Sequence, residues 1–232
     1  MDNITCTTNH AQSPLPRTGE IHTPQLASQE RRQLVYHWLA NLFATELTVE
    51  IIAHYGSPEG MAFLALIGEQ SGLEPLVARL SDLAGGPDEA ESTAMTLAGS
   101  FARLFLGAGG RCSAPPYQSA YLGKNPRLYQ APVAQMDEIL RLLNMSLPSD
   151  FREPADHISV QLNVMADLVG RGNVNQQMDF LDRHLVCWLA EFAAACQQHD
   201  RIGFYAAAAS GLADWLKADQ AALTEAQHRS VG

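Results

Sequence analysis

The stretch FREPADHISVQLNVM, residues 151–165, sets Glu153-Pro154 and Asp156-His157 directly ahead of a segment in which Ile158, Leu162, Met165 and Val169 recur at three- and four-residue steps. That spacing puts four apolar side chains on one stripe of an α-helix. An aspartate just before such a stripe is a favoured N-cap, because its carboxylate accepts otherwise unpaired backbone N–H groups and suits the positive end of the helix dipole. Asp156 is therefore expected to cap this helix, and Gly170 and Gly172 to end it. Capping accounts for one residue of the cluster and leaves Glu153 and His157 unexplained.

The same periodicity continues on both sides. In SQERRQLVYHWLANLFATEL, residues 28–47, Leu34, Val35, Trp38, Leu39, Leu42 and Phe43 form one apolar face. Thr48 is expected to cap a short helix that ends at Gly56, and Ser57-Pro58 to start the next with a cap followed by proline at its first position. Asp88 with Glu91 reads as a capping box ahead of Ala94, Leu97, Phe101 and Leu104. Asn125-Pro126 is expected to start a helix through Val133, Met136, Leu140 and Leu143. Asn175 is expected to cap a longer one through Leu181, Leu185, Trp188, Phe192 and Cys196, and residues 203–217 to form the last.

No segment shows the alternation of a strand, and no fixed-period repeat is present. The predicted fold is all-α, a helical bundle-like architecture. Residues 1–27 read as a flexible, polar N-terminal tail without the basic and apolar regions of a secretory signal. Residues 28–147 form an N-terminal helical part, 148–155 a hinge in which Pro148 and Pro154 bracket charged residues, and 156–232 a C-terminal helical part. A proline-bracketed connection can be turn-like in one chain and extended between two, so a homo-oligomer formed by exchange of the C-terminal helices is expected.

Composition restricts the functions open to such a fold. Of 232 residues, 47% are hydrophobic and 17% charged, a globular balance, and the formal net charge is −10. An acidic surface argues against nucleic acid as the main partner, since phosphate binding needs clustered cations. It suits a cationic partner instead. No run reaches the roughly 18 apolar residues that span a bilayer, so no stable membrane insertion is expected.

The chemistry-bearing residues do not assemble into an enzyme motif. Carboxylates beside His157 suit acid–base work, yet the sequence has no G-x-S-x-G elbow and no H-E-x-x-H. Cys6, Cys112, Cys187 and Cys196 lack the spacing of a zinc site, and the last two read as small buried hydrophobes in a helix. The glycines at 107, 109 and 110, and Gly123-Lys124, lack phosphate-loop spacing and a preceding strand. No catalytic residue, metal site or cofactor is assigned.

Two segments carry a resemblance. PPYQSAYLG, residues 115–123, and EPADHISVQLNVM, residues 153–165, resemble the paired signatures P-Y-E-S-V-Y and E-P-x-D-H-I-G-x-E-L-x-F-M of the TorD/DmsD-type redox-enzyme maturation chaperones. Within that family the chain is most similar to the TorD branch, chaperones of trimethylamine N-oxide reductase. Glu153, Pro154, Asp156 and His157 match; Gln118 and Gln161 stand where the family usually has Glu, Ser159 where it has Gly, and Val164 where it has an aromatic.

The resemblance implies a cytoplasmic helical chaperone that binds the twin-arginine signal peptide and the apoprotein of a molybdenum-dependent reductase and assists cofactor insertion before export. It implies peptide binding by Glu153, Pro154, Asp156 and His157 together with Tyr117, Gln118 and Tyr121, and weak guanine-nucleotide binding as a further possibility. A twin-arginine leader joins cations to an apolar stretch, so its receptor needs carboxylates beside an apolar groove. The alternative reading is a helical nucleotide-binding regulator or small-molecule enzyme that uses Asp156, His157 and the glycine loops.

Overall fold

A computed structural model describes residues 28–84, 89–122 and 131–231. Among them every regular element is a helix, and the one β-type pairing is an isolated antiparallel bridge between Tyr117 and His157. The predicted tail, Asp88 of the expected capping box, Asn125-Pro126 and Gly123-Lys124 lie outside the described residues.

Helix α1 (Ser28–Ala44) lies along α7 (Ile158–Arg171), so the packing crosses the 148–155 connection. Its side chains read the partner's backbone: Gln29 donates to the carbonyls of Val169 and Gly170, and Gln33 to that of Ala166. A Cβ at Gly170 would sit 2.6 Å from the Gln33 amide, so a side chain there would push the end of Gln33 away from this crossing. Farther along α1, Arg32 forms a bidentate pair with Asp219 at 2.6 and 2.8 Å, and Tyr36 donates to the same carboxylate at 2.8 Å. This cluster ties α1 to the last helix, α10 (Phe204–Val231).

Farther along, α1 meets the short helices α2 (Val49–Tyr55) and α3 (Pro58–Gly68), against which α5 (Ala90–Leu104) and α4 (Glu74–Leu83) pack in turn. Trp38 donates to the Tyr55 hydroxyl at 3.0 Å and packs edge-on against Phe63. Phe43, Phe105, Phe192 and Tyr205 form a run of edge-to-face aromatic contacts that joins both halves into one buried cluster. Thr48 and Ser57 cap α2 and α3 as expected, and Pro58 opens α3.

Four expectations are corrected. The cap of α7 is His157, whose ring nitrogen Nδ1 accepts from the Ser159 N–H at 3.2 Å; the Asp156 carboxylate is turned away from the helix toward Ser119. The next helix, α8 (Val174–Phe180), is capped by Asn173 rather than Asn175. It runs through a π-helical turn, Leu181–Val186, into α9 (Cys187–His199), and Cys187 is exposed while Cys196 is buried. The last helix does not stop at residue 217: α10 continues to Val231, with Gln227 bonded to Asn175 of α8. Helix α6 (Ala131–Leu143) lies over the 3-10 turn Gln118–Ala120.

Candidate functional site

The residues that the sequence analysis singled out come from two distant segments, and the fold brings them together. Ahead of the 3-10 turn at Gln118 and of α7 at Ile158 the two proline-rich segments lack regular structure, so their backbone polar groups need partners outside a helix. They find them in each other: the Ile158 N–H donates to the Pro116 carbonyl at 2.8 Å, and the Gln118 N–H to the Asp156 carbonyl at 3.2 Å.

Side chains reinforce this seam. The Asp156 carboxylate is fully buried, and its Oδ2 accepts the Ser119 N–H at 2.8 Å. The Tyr117 hydroxyl donates to Oε2 of Glu153, which is partly exposed. The Tyr117 and Phe151 rings flank the His157 imidazole edge-on, at 5.2 and 5.9 Å. Burial among these groups lowers the His157 pKa to about 4, so the ring is neutral at pH 7 and its Nδ1 is free to act as the cap acceptor. His157 bonds Ser159, through both its N–H and its hydroxyl, rather than Asp156.

Gln118 and Gln161 form a second layer beneath the seam. Gln161 donates to Oε1 of Gln118 at 2.7 Å, Gln118 donates onward to the Arg183 carbonyl at 2.9 Å, and Trp188 donates to Oε1 of Gln161 at 3.2 Å. Arg183 lies in the π-helical turn, where the altered register frees carbonyls from helix bonding. Tyr121 stacks on Trp188 at 5.5 Å, and burial raises its hydroxyl pKa. Pro154 is buried. All seven predicted residues thus belong to one cluster. The role of Gln161, Ser119 and Trp188 was not readable from the spacing of the motifs, although the paired replacement of Glu at 118 and 161 was a signal that the two positions touch.

The glycine loops serve the backbone. The N–H groups of Ala108, Gly109 and Gly110 bond the carbonyls of Ala102, Arg103 and Gly107, so they close a turn after α5 and do not face a common point. Among the described residues no group of three or more metal-ligating side chains occurs. A cavity of about 330 Å³ lies between α9 and α10, walled by Ala190, Ala193 and Ala194 with Asp214 and Lys217; none of the seven residues lines it.

Comparison with known proteins meets this geometry from another direction. Residues 68–194, more than half of the chain and including both segments, match the family described as nitrate reductase delta subunit. The chain is 34% identical to the chaperone protein TorD of Vibrio atlanticus over 204 residues, 83% of this chain and 94% of that one. The chain belongs to the TorD chaperone family. Its likeness to the TorD chaperone of Vibrio parahaemolyticus is 32% over 208 residues, 85% and 96% of the two chains, and to that of Aliivibrio fischeri 33% over 204 residues, 83% and 94%. These TorD relatives are named as chaperones, not enzymes, and no described helix is long and apolar enough to cross a membrane.

Proposed function

We propose that this TorD-family chain is a cytoplasmic chaperone that binds the twin-arginine signal peptide and the apoprotein of a molybdenum-dependent reductase, trimethylamine N-oxide reductase by its likeness to TorD, and keeps the apoprotein competent for cofactor insertion before export. The observation that carries this reading is the seam itself: two carboxylates, Asp156 and Glu153, set among Tyr117, Phe151 and Tyr121 without a cationic partner among the described residues. A guanidinium gains most where it finds a carboxylate that is already partly desolvated, and apolar neighbours receive the stretch that follows it.

Glu153 is the outer contact, since it is partly exposed, and Tyr117, Gln118 and Tyr121 shape the apolar wall behind it. Titration calorimetry with the leader peptide of the reductase is expected to show saturable binding that weakens in high salt. Absence of binding to both the leader and the mature apoenzyme would overturn the chaperone reading. Nucleotide binding gains no support from the glycine loop, whose amides are engaged in its own turn.

A further inference from the structure

We propose that α6 is a displaceable cover over the paired segments, and that an apolar peptide helix bearing a cationic side chain takes its place. This deepens the chaperone reading and rests on it for the identity of the occupant.

The first observation is how α6 is held. It buries Pro132, Met136 and Leu140, and its main neighbour is the Gln118–Ala120 turn, whereas α1 lies along α7 and α9 along α10. Its polar side chains serve the helix itself: Arg141 pairs with Glu138 one turn away, and Leu142 is 62% exposed. At its end Asn144 adopts a left-handed φ of 55°, and Arg171 of α7 reaches the Leu143 carbonyl at 2.8 Å. Beyond Asn144 the chain runs without a helix to the seam. A single amphipathic helix docked on a turn, and joined to irregular chain, is an element that opens at low cost.

The second observation is what lies at and beneath that turn. Ser119 Oγ, Tyr121 Oη and Asp156 Oδ1 are buried and have no hydrogen-bond partner among the described residues. Buried polar atoms are nearly always paired, and a carboxylate oxygen left unpaired is among the costliest exceptions. All three belong to the seam; Asp156 is fully buried and bonds Ser119, a residue of the turn on which α6 lies. An incoming cation satisfies Asp156 Oδ1, a neighbouring donor or acceptor satisfies the hydroxyls, and an apolar helix face replaces Met136 and Leu140. The occupant therefore matches α6 in its apolar stripe and differs from it by carrying the charge that α6 does not deliver.

Hydrogen exchange of the full chain, read by mass spectrometry, tests the cover without any peptide. Amides of Ala131–Leu143 are expected to exchange at least about tenfold faster than those of α7 and α9, through local opening. Exchange of α6 only at the rate of global unfolding overturns the cover and leaves the chaperone reading intact. With the twin-arginine leader as probe, Leu140→Ala, and Met136→Ala with it, is expected to raise affinity about three- to tenfold, because a larger open fraction removes the cost of displacing α6. Circular dichroism confirms that the variants stay folded. Unchanged or lower affinity in a folded variant overturns the proposal, as does protection of α6 in place by the bound peptide. If neither wild type nor variant binds the leader while α6 opens locally, the proposed occupant is overturned, and the chaperone reading falls only if the mature apoenzyme also fails to bind.

Discussion

Gln161 donates its amide to the side-chain carbonyl of Gln118 across 2.7 Å, and each amide continues to a further partner, Trp188 on one side and the Arg183 carbonyl on the other. The result is one directed chain of hydrogen bonds from α9 through α7 and the 118–120 turn back to the π-helical turn. Where the family usually places two carboxylates, this chain holds two neutral amides. A pair of carboxylates at this distance shares a proton; a pair of amides has nothing to titrate.

Removing one member leaves buried partners unsatisfied. Gln161→Leu is expected to lower unfolding free energy by about 1–3 kcal/mol, measured by denaturant titration. The double variant Gln118→Glu/Gln161→Glu is expected to be stable at low pH and to lose that stability as pH rises, since like charge and burial raise the folded pKa of the pair above its unfolded value. A stability difference from wild type that is the same at pH 4 and pH 8 would contradict the direct contact.

Stability should fall on the acid side because of His157. Its pKa is lowered by burial from 6.5 to about 4, so the unfolded chain takes up a proton first. The contribution is fully present above pH 6.5 and is lost as pH falls toward 4, amounting to about 3 kcal/mol. His184, whose pKa burial also lowers, adds to the same slope. His157→Asn keeps a capping acceptor and removes the proton uptake, so its unfolding midpoint should vary less between pH 7 and pH 4.5 than that of the wild type.

The Arg32–Asp219 pair offers a test of helix exchange, which we propose for the 148–155 connection. Arg32 lies before that connection and Asp219 after it, so in an exchanged dimer the two partners come from different chains. Arg32→Asp and Asp219→Arg should each cost roughly 3 kcal/mol alone, because each leaves a desolvated charge facing its like. Mixed after partial unfolding, the two variants should form a heterodimer with an opposite-charge pair in each composite unit, one native and one reversed, visible by size-exclusion chromatography and native mass spectrometry. Monomers alone at every concentration would rule the exchange out.

Much of this fold was legible because apolar spacing reports which face of a helix is buried: α1, α5, α7 and α9 follow from it directly. Thr48 and Ser57 were readable because a cap needs only its own side chain and the two or three residues after it. Asp156 misled for the opposite reason. Aspartate is the commoner cap, but here a backbone N–H 37 residues away competes for the carboxylate and leaves the cap to a histidine kept neutral by burial. Helix α4 begins after Leu73, which offers no side-chain cap, and the end of α10 is alanine-rich with a thin apolar stripe, so neither boundary announced itself. The site was legible as two segments; that Gln118 meets Gln161 and that Glu153 meets Tyr117 are facts of tertiary packing that neither segment contains.

The π-helical turn at Leu181–Val186 has a consequence for length rather than chemistry. With i→i+5 bonding, such a turn holds one residue more than the α-helical turn it replaces. Trp188 and Phe192 reach the aromatic cluster from the far side of that turn, while Phe180 is buried on the near side. Deleting a single residue within it would give a more regular helix and a worse protein, because the Arg183 carbonyl that now receives the Gln118 amide would return to the helix ladder and leave that amide buried without its partner. Along this rod the count of residues is as constrained as their kind.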